Sequence, residues 1–295
     1  MKKNIIVVTG GAGFIASNLI KLFIKKTNYK FISIDNYYSG SKKNHINSKK
    51  VIYLRGHTKN INKILYKYKS QIHSIFHFGE FSRIYQSFEH RNECFDFNMT
   101  GTIEVIKFCC DNKIKIYYSA SSSKFGNSGK DENLSPYSWT KSKNIEIIKN
   151  FSKWFNLKYE ILYFYNVYGP GQIKNHKMSA VIGIFEEKIE KKLPLPVVLP
   201  GNQKRDFTHV YDIVRGCYLA FKKGKNSEYM LGTNKSNSVL KIAKMFSKNI
   251  KFIKERKGER LGSYSFRHST YKDLGYKAKI NIEDYIKNFK KNLNY

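Results

Sequence analysis

Asn4-Ile5-Ile6-Val7-Val8-Thr9-Gly10-Gly11-Ala12-Gly13-Phe14-Ile15-Ala16-Ser17-Asn18-Leu19 is an apolar run of buried-strand length, then a glycine cluster, then the start of a helical pattern. Taken in order it is a strand, a tight turn and a helix N-terminus. Gly10 and Gly13 carry no side chain, so the backbone can turn sharply and approach a pyrophosphate closely. The free N–H groups of the helix start, at Phe14 and Ile15, face the anion. After the second apolar run, Phe31-Ile32-Ser33-Ile34, comes Asp35-Asn36. A carboxylate about 20 residues beyond such a turn accepts both ribose hydroxyls of an adenosine and repels a 2′-phosphate, which selects NAD over NADP.

The first half continues in the same rhythm. Strands are expected at Asn4 to Val8, Phe31 to Ile34, Val51 to Leu54, Ser74 to Phe78, Ile114 to Ser119 and Tyr159 to Tyr163. Helices are expected at Phe14 to Lys25, Ile61 to Lys69, Asn92 to Cys110 and Ser138 to Trp154. Regular alternation of strand and helix means an α/β fold, a Rossmann-type doubly wound parallel sheet covered on both faces, with ligands beyond the carboxyl ends of the strands. After Tyr168-Gly169-Pro170-Gly171 the regularity breaks, and Pro194, Pro196 and Pro200 punctuate short segments. Later patterns suggest helices at Asp212 to Phe221, Val239 to Ser247 and from Ile282, with short strands at Tyr229 to Leu231 and Phe252-Ile253. Residues 1–168 are therefore expected to form the NAD-binding domain, and 169–295 a smaller α/β substrate region partly interleaved with it.

Composition removes several classes. No apolar run approaches the roughly 20 residues a bilayer needs, so no membrane partner is expected. The net charge of +32 raises the question of nucleic acid, but only eight of the 54 basic residues are arginines and the lysines are scattered. A nucleic-acid reader concentrates its basic residues in one element and favours arginine. The lysines read instead as solvated surface, with an anionic small molecule as the expected partner. The four cysteines have no Cys-x-x-Cys spacing, which argues against a metal site or a disulfide framework and fits a reducing, cytoplasmic setting.

Tyr137-Ser138-Trp139-Thr140-Lys141 puts a phenol and an ammonium one helical turn apart on one face, where the cation favours the phenolate. Tyr38/Lys42 and Tyr218/Lys222 share the spacing, so context must choose. Only Tyr137 follows a strand ending in small hydroxyl residues, Tyr118-Ser119-Ala120-Ser121-Ser122-Ser123-Lys124-Phe125-Gly126. Further short motifs are His77-Phe78-Gly79, Asn98-Met99-Thr100-Gly101-Thr102, Asn166-Val167-Tyr168-Gly169-Pro170, Arg205-Asp206-Phe207 and Arg256-Lys257-Gly258-Glu259.

With these, nearly the whole chain resembles the extended short-chain dehydrogenase/reductases of the sugar-nucleotide epimerase and dehydratase group, most of all their UDP-glucose 4-epimerase-like members. The resemblance implies that Tyr137 is the acid/base, that Lys141 tunes it and binds the nicotinamide ribose, and that Ser121, counted back from Gly126, hydrogen-bonds the reacting hydroxyl. It adds Phe78, Gly79 and Asn98 to the cofactor contacts. Asn166, Arg205 and Arg256 are implied to hold the nucleotide and its diphosphate, where a guanidinium fork suits paired oxygens. Ser82, Ser122 and Glu80 complete the candidate substrate contacts. Dehydratases of the group carry Asp and Glu at the positions of Ser122 and Ser123, because eliminating water needs an extra acid and base. Two serines cannot supply them, so the expected activity is epimerisation of a nucleoside-diphosphate sugar, at C4, through a transient ketone and a retained NAD. A 4-keto-sugar reductase, a C2 epimerase and a non-catalytic dinucleotide-binding protein with a polyanion partner are the alternatives.

Two residues stand apart from the pattern. Glu80 lies just beyond the fourth strand, where relatives usually have a small residue; it either selects the sugar, adds a base, or forms an ion pair with a lysine. His77 reads as a satisfied strand-end group. The apolar stripes at 92–110 and 138–154 resemble the four-helix dimer interface of the group, implying a homodimer.

Overall fold

The apolar run after Asn4 forms β1 (Ile5–Thr9), buried along its whole length. Its side chains alternate between two cores, as a strand demands. Ile6 and Val8 join a cluster with Leu19, Phe23, Phe31 and Phe76. Ile5 and Val7 join another with Ile34, Ile75, Val105 and Ile145. The structure, a computed structural model, describes residues 3–125, 132–262 and 269–293. Gly126, from which Ser121 was counted, lies outside them.

From β1 the chain runs through α1 (Phe14–Lys26), β2 (Lys30–Asp35), β3 (Val51–Arg55), the short α2 (Ile61–Leu65) and β4 (Ile72–His77). Next come α3 (Gln86–Glu89), α4 (Arg91–Phe95), α5 (Gly101–Asp111), β5 (Lys115–Ser121), α6 (Pro136–Phe155) and β6 (Tyr159–Phe164). The second half supplies β7 (Asn166–Tyr168), α7 (Val181–Glu190), β8 (Leu195–Val198), β9 (Lys204–His209), α8 (Val210–Lys223) and β10 (Glu228–Leu231). It closes with β11 (Ser236–Ser238), α9 (Val239–Phe246), β12 (Ile250–Ile253), α10 (Ser269–Leu274) and α11 (Ile282–Asn292).

The main sheet has seven strands in the order β10-β6-β5-β4-β1-β2-β3. All its pairings are parallel, with Val7 opposite Ile32 on one side of β1 and Val8 opposite Phe76 on the other. Strand order reverses between β1 and β4, and a crevice opens beyond the carboxyl ends of strands at such a switch. Thr9, His77 and Ser121 end β1, β4 and β5 at that edge.

The doubly wound sheet agrees with the sequence, with two differences of detail. The helix expected over 92–110 is interrupted: a widened i→i+5 turn at 96–100 separates α4 from α5. The helix expected to reach Lys69 stops at Leu65 and tightens into a 3₁₀ turn through Gln71. The main sheet also takes its outermost strand, β10, from the second half of the chain. Buried Glu160 on β6 brings it there by accepting the N–H groups of Asn226 and Ser227, each at 3.0 Å, just before β10 begins. The remaining strands form two small sheets, β11-β9-β7 and β12-β8. Phe185, Val197, Phe246 and Ile286 give that part a core of its own. Each such fully buried side chain contributes about 1.5–3 kcal/mol.

Candidate active site

The glycine turn is a cradle that side chains would fill. Gly10 has φ +66°, and a Cβ there would stand 2.9 Å from the Gly79 Cα. A Cβ on Gly13 would stand 2.9 Å from the Gly10 carbonyl oxygen, to which the Gly13 N–H donates. Thr9 Oγ1 accepts the N–H groups of Phe78 (3.1 Å) and Gly79 (3.0 Å), tying the ends of β1 and β4 together. Helix α1 then starts with no side-chain cap and no acid in its first turn, so its leading N–H groups, around Phe14 and Ile15, suit an anion. Asp35 closes the turn from behind. Its carboxylate accepts Ala12 N–H at 3.0 Å and Tyr37 N–H at 2.7 Å. Burial raises its pKa, and those two N–H groups and His45 oppose the rise. Asn36 accepts Tyr38 N–H at 3.0 Å. Gly10, Gly13, Phe14, Ile15, Asp35 and Asn36 all line one cavity of about 440 Å³, together with Phe78 and Gly79. A narrow, side-chain-free turn, an uncapped helix and an acid at its rim fit a dinucleotide.

Ser121, Tyr137 and Lys141 lie on the wall of the same cavity. Ser135 fixes the start of α6 by accepting Ser138 N–H at 3.1 Å, with Pro136 at the first helical position. This places Tyr137 in the first turn and Lys141 one turn later. Ser121 Oγ accepts from Ser123 N–H (3.2 Å) and Ser123 Oγ (2.9 Å), which leaves its own proton for a ligand. Lys141 Nζ donates to the Ser119 carbonyl at 2.6 Å and forms an ion pair with Glu80.

That ion pair revises the reading of Glu80 as a substrate contact. Its side chain is 1% exposed, and Oε1 accepts from Tyr118 OH (3.0 Å), Asn144 Nδ2 (3.0 Å) and Thr102 Oγ1 (3.1 Å). A carboxylate buried this deeply needs a cation, and the partner is Lys141, one helical turn after Tyr137. Arg83 is occupied elsewhere, donating to the carbonyls of Met178 and Ser82, both at 2.7 Å. Asn98 is also revised. It is fully buried off the cavity wall, accepting Phe81 N–H at 2.7 Å and donating to Thr140 Oγ1 at 3.0 Å. The widened turn at 96–100 carries Asn98 into that position, where it braces the segment after β4 rather than touching a cofactor. His77 bonds Thr9 (2.8 Å) and Thr102 (2.9 Å), and burial lowers its pKa to about 4.

Asn166, Ser82, Ser122, Arg205 and Arg256 line the cavity as well. The Arg205 guanidinium is held by protein: it pairs with Glu259 and donates to the carbonyls of Lys204 (2.9 Å) and Arg260 (2.7 Å). Burial lowers its pKa against the pull of Glu259. Arg256 is half-buried over the Tyr85 ring, 5.2 Å from its centroid. Sequence reasoning passed over Arg260, which is buried on the cavity wall and donates to Ser122. Its one signal was its place directly after the Arg256-to-Glu259 motif.

Residues 6–232 match the family described as NAD dependent epimerase/dehydratase. A Methanocaldococcus jannaschii protein, provisionally named a UDP-glucose 4-epimerase, is 31% identical across 98% of this chain and 99% of its own. A solved UDP-N-acetylglucosamine 4-epimerase from Methanobrevibacter ruminantium M1, in complex with UDP-N-acetylmuramic acid, is 25% identical with a TM-score of 0.86 over 99% of this chain and 98% of that one. A UDP-glucuronic acid 4-epimerase from Bacillus cereus, in complex with UDP-glucuronic acid and NAD, is similar in fold: TM-score 0.87 at 24% identity, over 98% of this chain and 99% of that one.

Proposed function

The chain belongs to the NAD-dependent epimerase/dehydratase family, and within it we propose a nucleotide-sugar epimerase that inverts C4 and keeps its NAD between turnovers. The glycine turn, the first turn of α1 and Asp35 would hold the cofactor, and Lys141 its nicotinamide ribose. When bound, NAD supplies the two-electron oxidation and re-reduction of the sugar carbon. The chain supplies the proton handling. Tyr137 takes the proton of the C4 hydroxyl and later returns it, while Ser121 donates its free proton to the C4 oxygen throughout. The Glu80 carboxylate and the Ser119 carbonyl fix Lys141 one turn from the phenol. Asn166 and Arg256 would grip the nucleotide and its diphosphate; Arg205, already paired with Glu259, would steady the segment that carries Arg256.

The observation that carries this reading is the convergence of Ser121, Tyr137 and Lys141 on one cavity wall, with two serines after Ser121 and no spare acid among the described residues of that wall. Loss of water would need a second acid and base at Ser122 and Ser123, and Glu80 is too buried and too fully bonded to substitute. A homodimer through 92–110 and 138–154 belongs to the same reading. Phe95 and Trp139 pack together at 5.9 Å across that face, and Trp154 and Phe155 stand exposed at its end.

The test is to purify the protein, identify its retained dinucleotide and offer UDP-, GDP-, CDP- and dTDP-sugars. An epimerised product with no net cofactor change is expected. Tyr137→Phe should lower turnover by about 10²- to 10⁴-fold while NAD stays bound. Consumption of added nicotinamide cofactor would point to a reductase, and full activity of Tyr137→Phe would remove the mechanism.

A further inference from the structure

We propose that Arg260 and Ser122 form a carboxylate-binding subsite at the sugar, so that the substrate is a nucleoside-diphosphate hexuronate; this rests on the epimerase reading above. Arg260 is 4% exposed and borders the cavity. Its Nη1 donates to the Ser122 carbonyl at 2.7 Å and its Nη2 to Ser122 Oγ at 3.0 Å. Its Nε has no hydrogen-bond partner among the described residues. Both acceptors are neutral. Burial, with the neighbouring Arg205 charge, lowers its pKa to about 10 against the pull of the Tyr165 and Tyr137 phenols and of Glu259, whose carboxylate is paired with Arg205; this still leaves it a cation at neutral pH.

A buried charge without a counter-charge is costly, and it persists where a ligand brings the missing one. The other cations of the cavity divide cleanly. Lys141 is matched by Glu80 and Arg205 by Glu259. Arg83, Arg256 and Arg260 have no carboxylate partner among the described residues. Of the three, Arg83 and Arg256 are partly open to solvent and Arg260 is buried, so Arg260 is the one that a ligand's anion must answer.

Place decides which anion. Arg260 grips the main chain and side chain of the residue directly after Ser121, the serine assigned to the reacting hydroxyl. The Tyr137 phenol is also within its electrostatic reach. The anion it awaits therefore sits on the sugar ring rather than on the diphosphate. A carboxylate suits the fork that Nε–H and the second Nη2–H present on one edge of the guanidinium. Ser122 Oγ already accepts from Arg260, so its own proton is free to donate to the same carboxylate. Methionine or leucine at position 260 would offer a hexose the same wall without the charge.

Calorimetric titration of the NAD-loaded protein with UDP-glucuronate, UDP-glucose and UDP tests this, repeated with the dTDP-linked pair. Hexuronate should bind about 10- to 100-fold more tightly than the matching hexose, the worth of charge-assisted hydrogen bonds to one carboxylate. Arg260→Met should bring the ratio close to one, and Arg260→Lys should keep part of it. If Arg260→Met does not fold, the wild-type ratio and the Lys variant still decide. Hexose binding as tightly as hexuronate overturns the proposal. So does an equal loss for UDP, hexose and hexuronate in Arg260→Met, which would make Arg260 a diphosphate ligand. The epimerase reading fails separately, when hexuronate binds selectively but yields no C4-inverted sugar.

Discussion

Replacing Glu80 by Gln removes one charge from a pair in which the Lys141 side chain is 4% exposed and the Glu80 side chain 1%. Breaking a buried pair by deleting one partner costs about 3–5 kcal/mol, because the remaining charge is left uncompensated. The amide oxygen of Gln can still accept from Thr102, Tyr118 and Asn144, and Lys141 keeps the Ser119 carbonyl. The loss should therefore sit near the lower end, about 3 kcal/mol. In a chain of this size that lowers Tm by roughly 6–12 °C. Urea unfolding followed by tryptophan fluorescence measures it, with Lys141→Met and the double variant completing a cycle. The double variant should be more stable than the sum of the single losses predicts, by about 2–3 kcal/mol. Turnover should fall in Glu80→Gln because Lys141 loses its anchor, while preference among sugars should not change, because the carboxylate is taken up by Lys141, Tyr118, Asn144 and Thr102. A destabilisation under about 0.5 kcal/mol, or strict additivity in the cycle, would refute this account of the pair.

Gly10→Ala should cost about 1–2 kcal/mol, since φ +66° strains an L-residue and its methyl meets the Gly79 backbone; the purified variant should also retain less NAD, measured by its absorbance after denaturation. Acid should destabilise the fold in a defined window. His77 has its pKa lowered to about 4 in the folded protein against 6.5 when unfolded, so the unfolded chain binds the extra proton between those values. Stability is then complete above pH 6.5, falls by about 3 kcal/mol as pH drops, and stops falling from this source below about 4. His73 and His209, also lowered by burial, add with the same sign. Urea midpoints against pH should show the slope, and His77→Asn should flatten it. Trp154→Glu should weaken self-association in sedimentation velocity if the exposed aromatic end of α6 meets a second copy.

Much of the first half was legible because its signals are local. A buried parallel strand is a continuous apolar run, and the glycine turn and Asp35 follow each other at a spacing fixed by one strand-helix-strand unit. The second half was less legible for the converse reason. β7 and β11 are three residues each, and β8 contains Pro196, so neither length nor period marks them. β9 is Lys204–His209, largely polar in sequence yet buried after its first residue. The roles of Glu80 and Arg260 depended on partners far along the chain: Lys141 lies 61 residues from Glu80, and Ser122 lies 138 from Arg260. Sequence placed Glu80 beside the site and left open whether it met sugar or lysine. Only the fold says that the lysine is the one beside Tyr137. Asn98 was assigned to the cofactor by resemblance, and the extra residue in the turn at 96–100, invisible in an apolar stripe, aims it into the protein instead.

The central claim is that one sugar carbon is oxidised and re-reduced in place with Tyr137 moving the proton. Nuclear magnetic resonance of the product formed in D2O, without added cofactor, tests it most directly. The account predicts a sugar inverted at C4 that has taken up no deuterium on carbon. Deuterium at C3 or C5, or loss of water from C6, would contradict it, because either requires a base acting on a neighbouring carbon, and each carboxylate among the described residues of the cavity is already bonded within the protein.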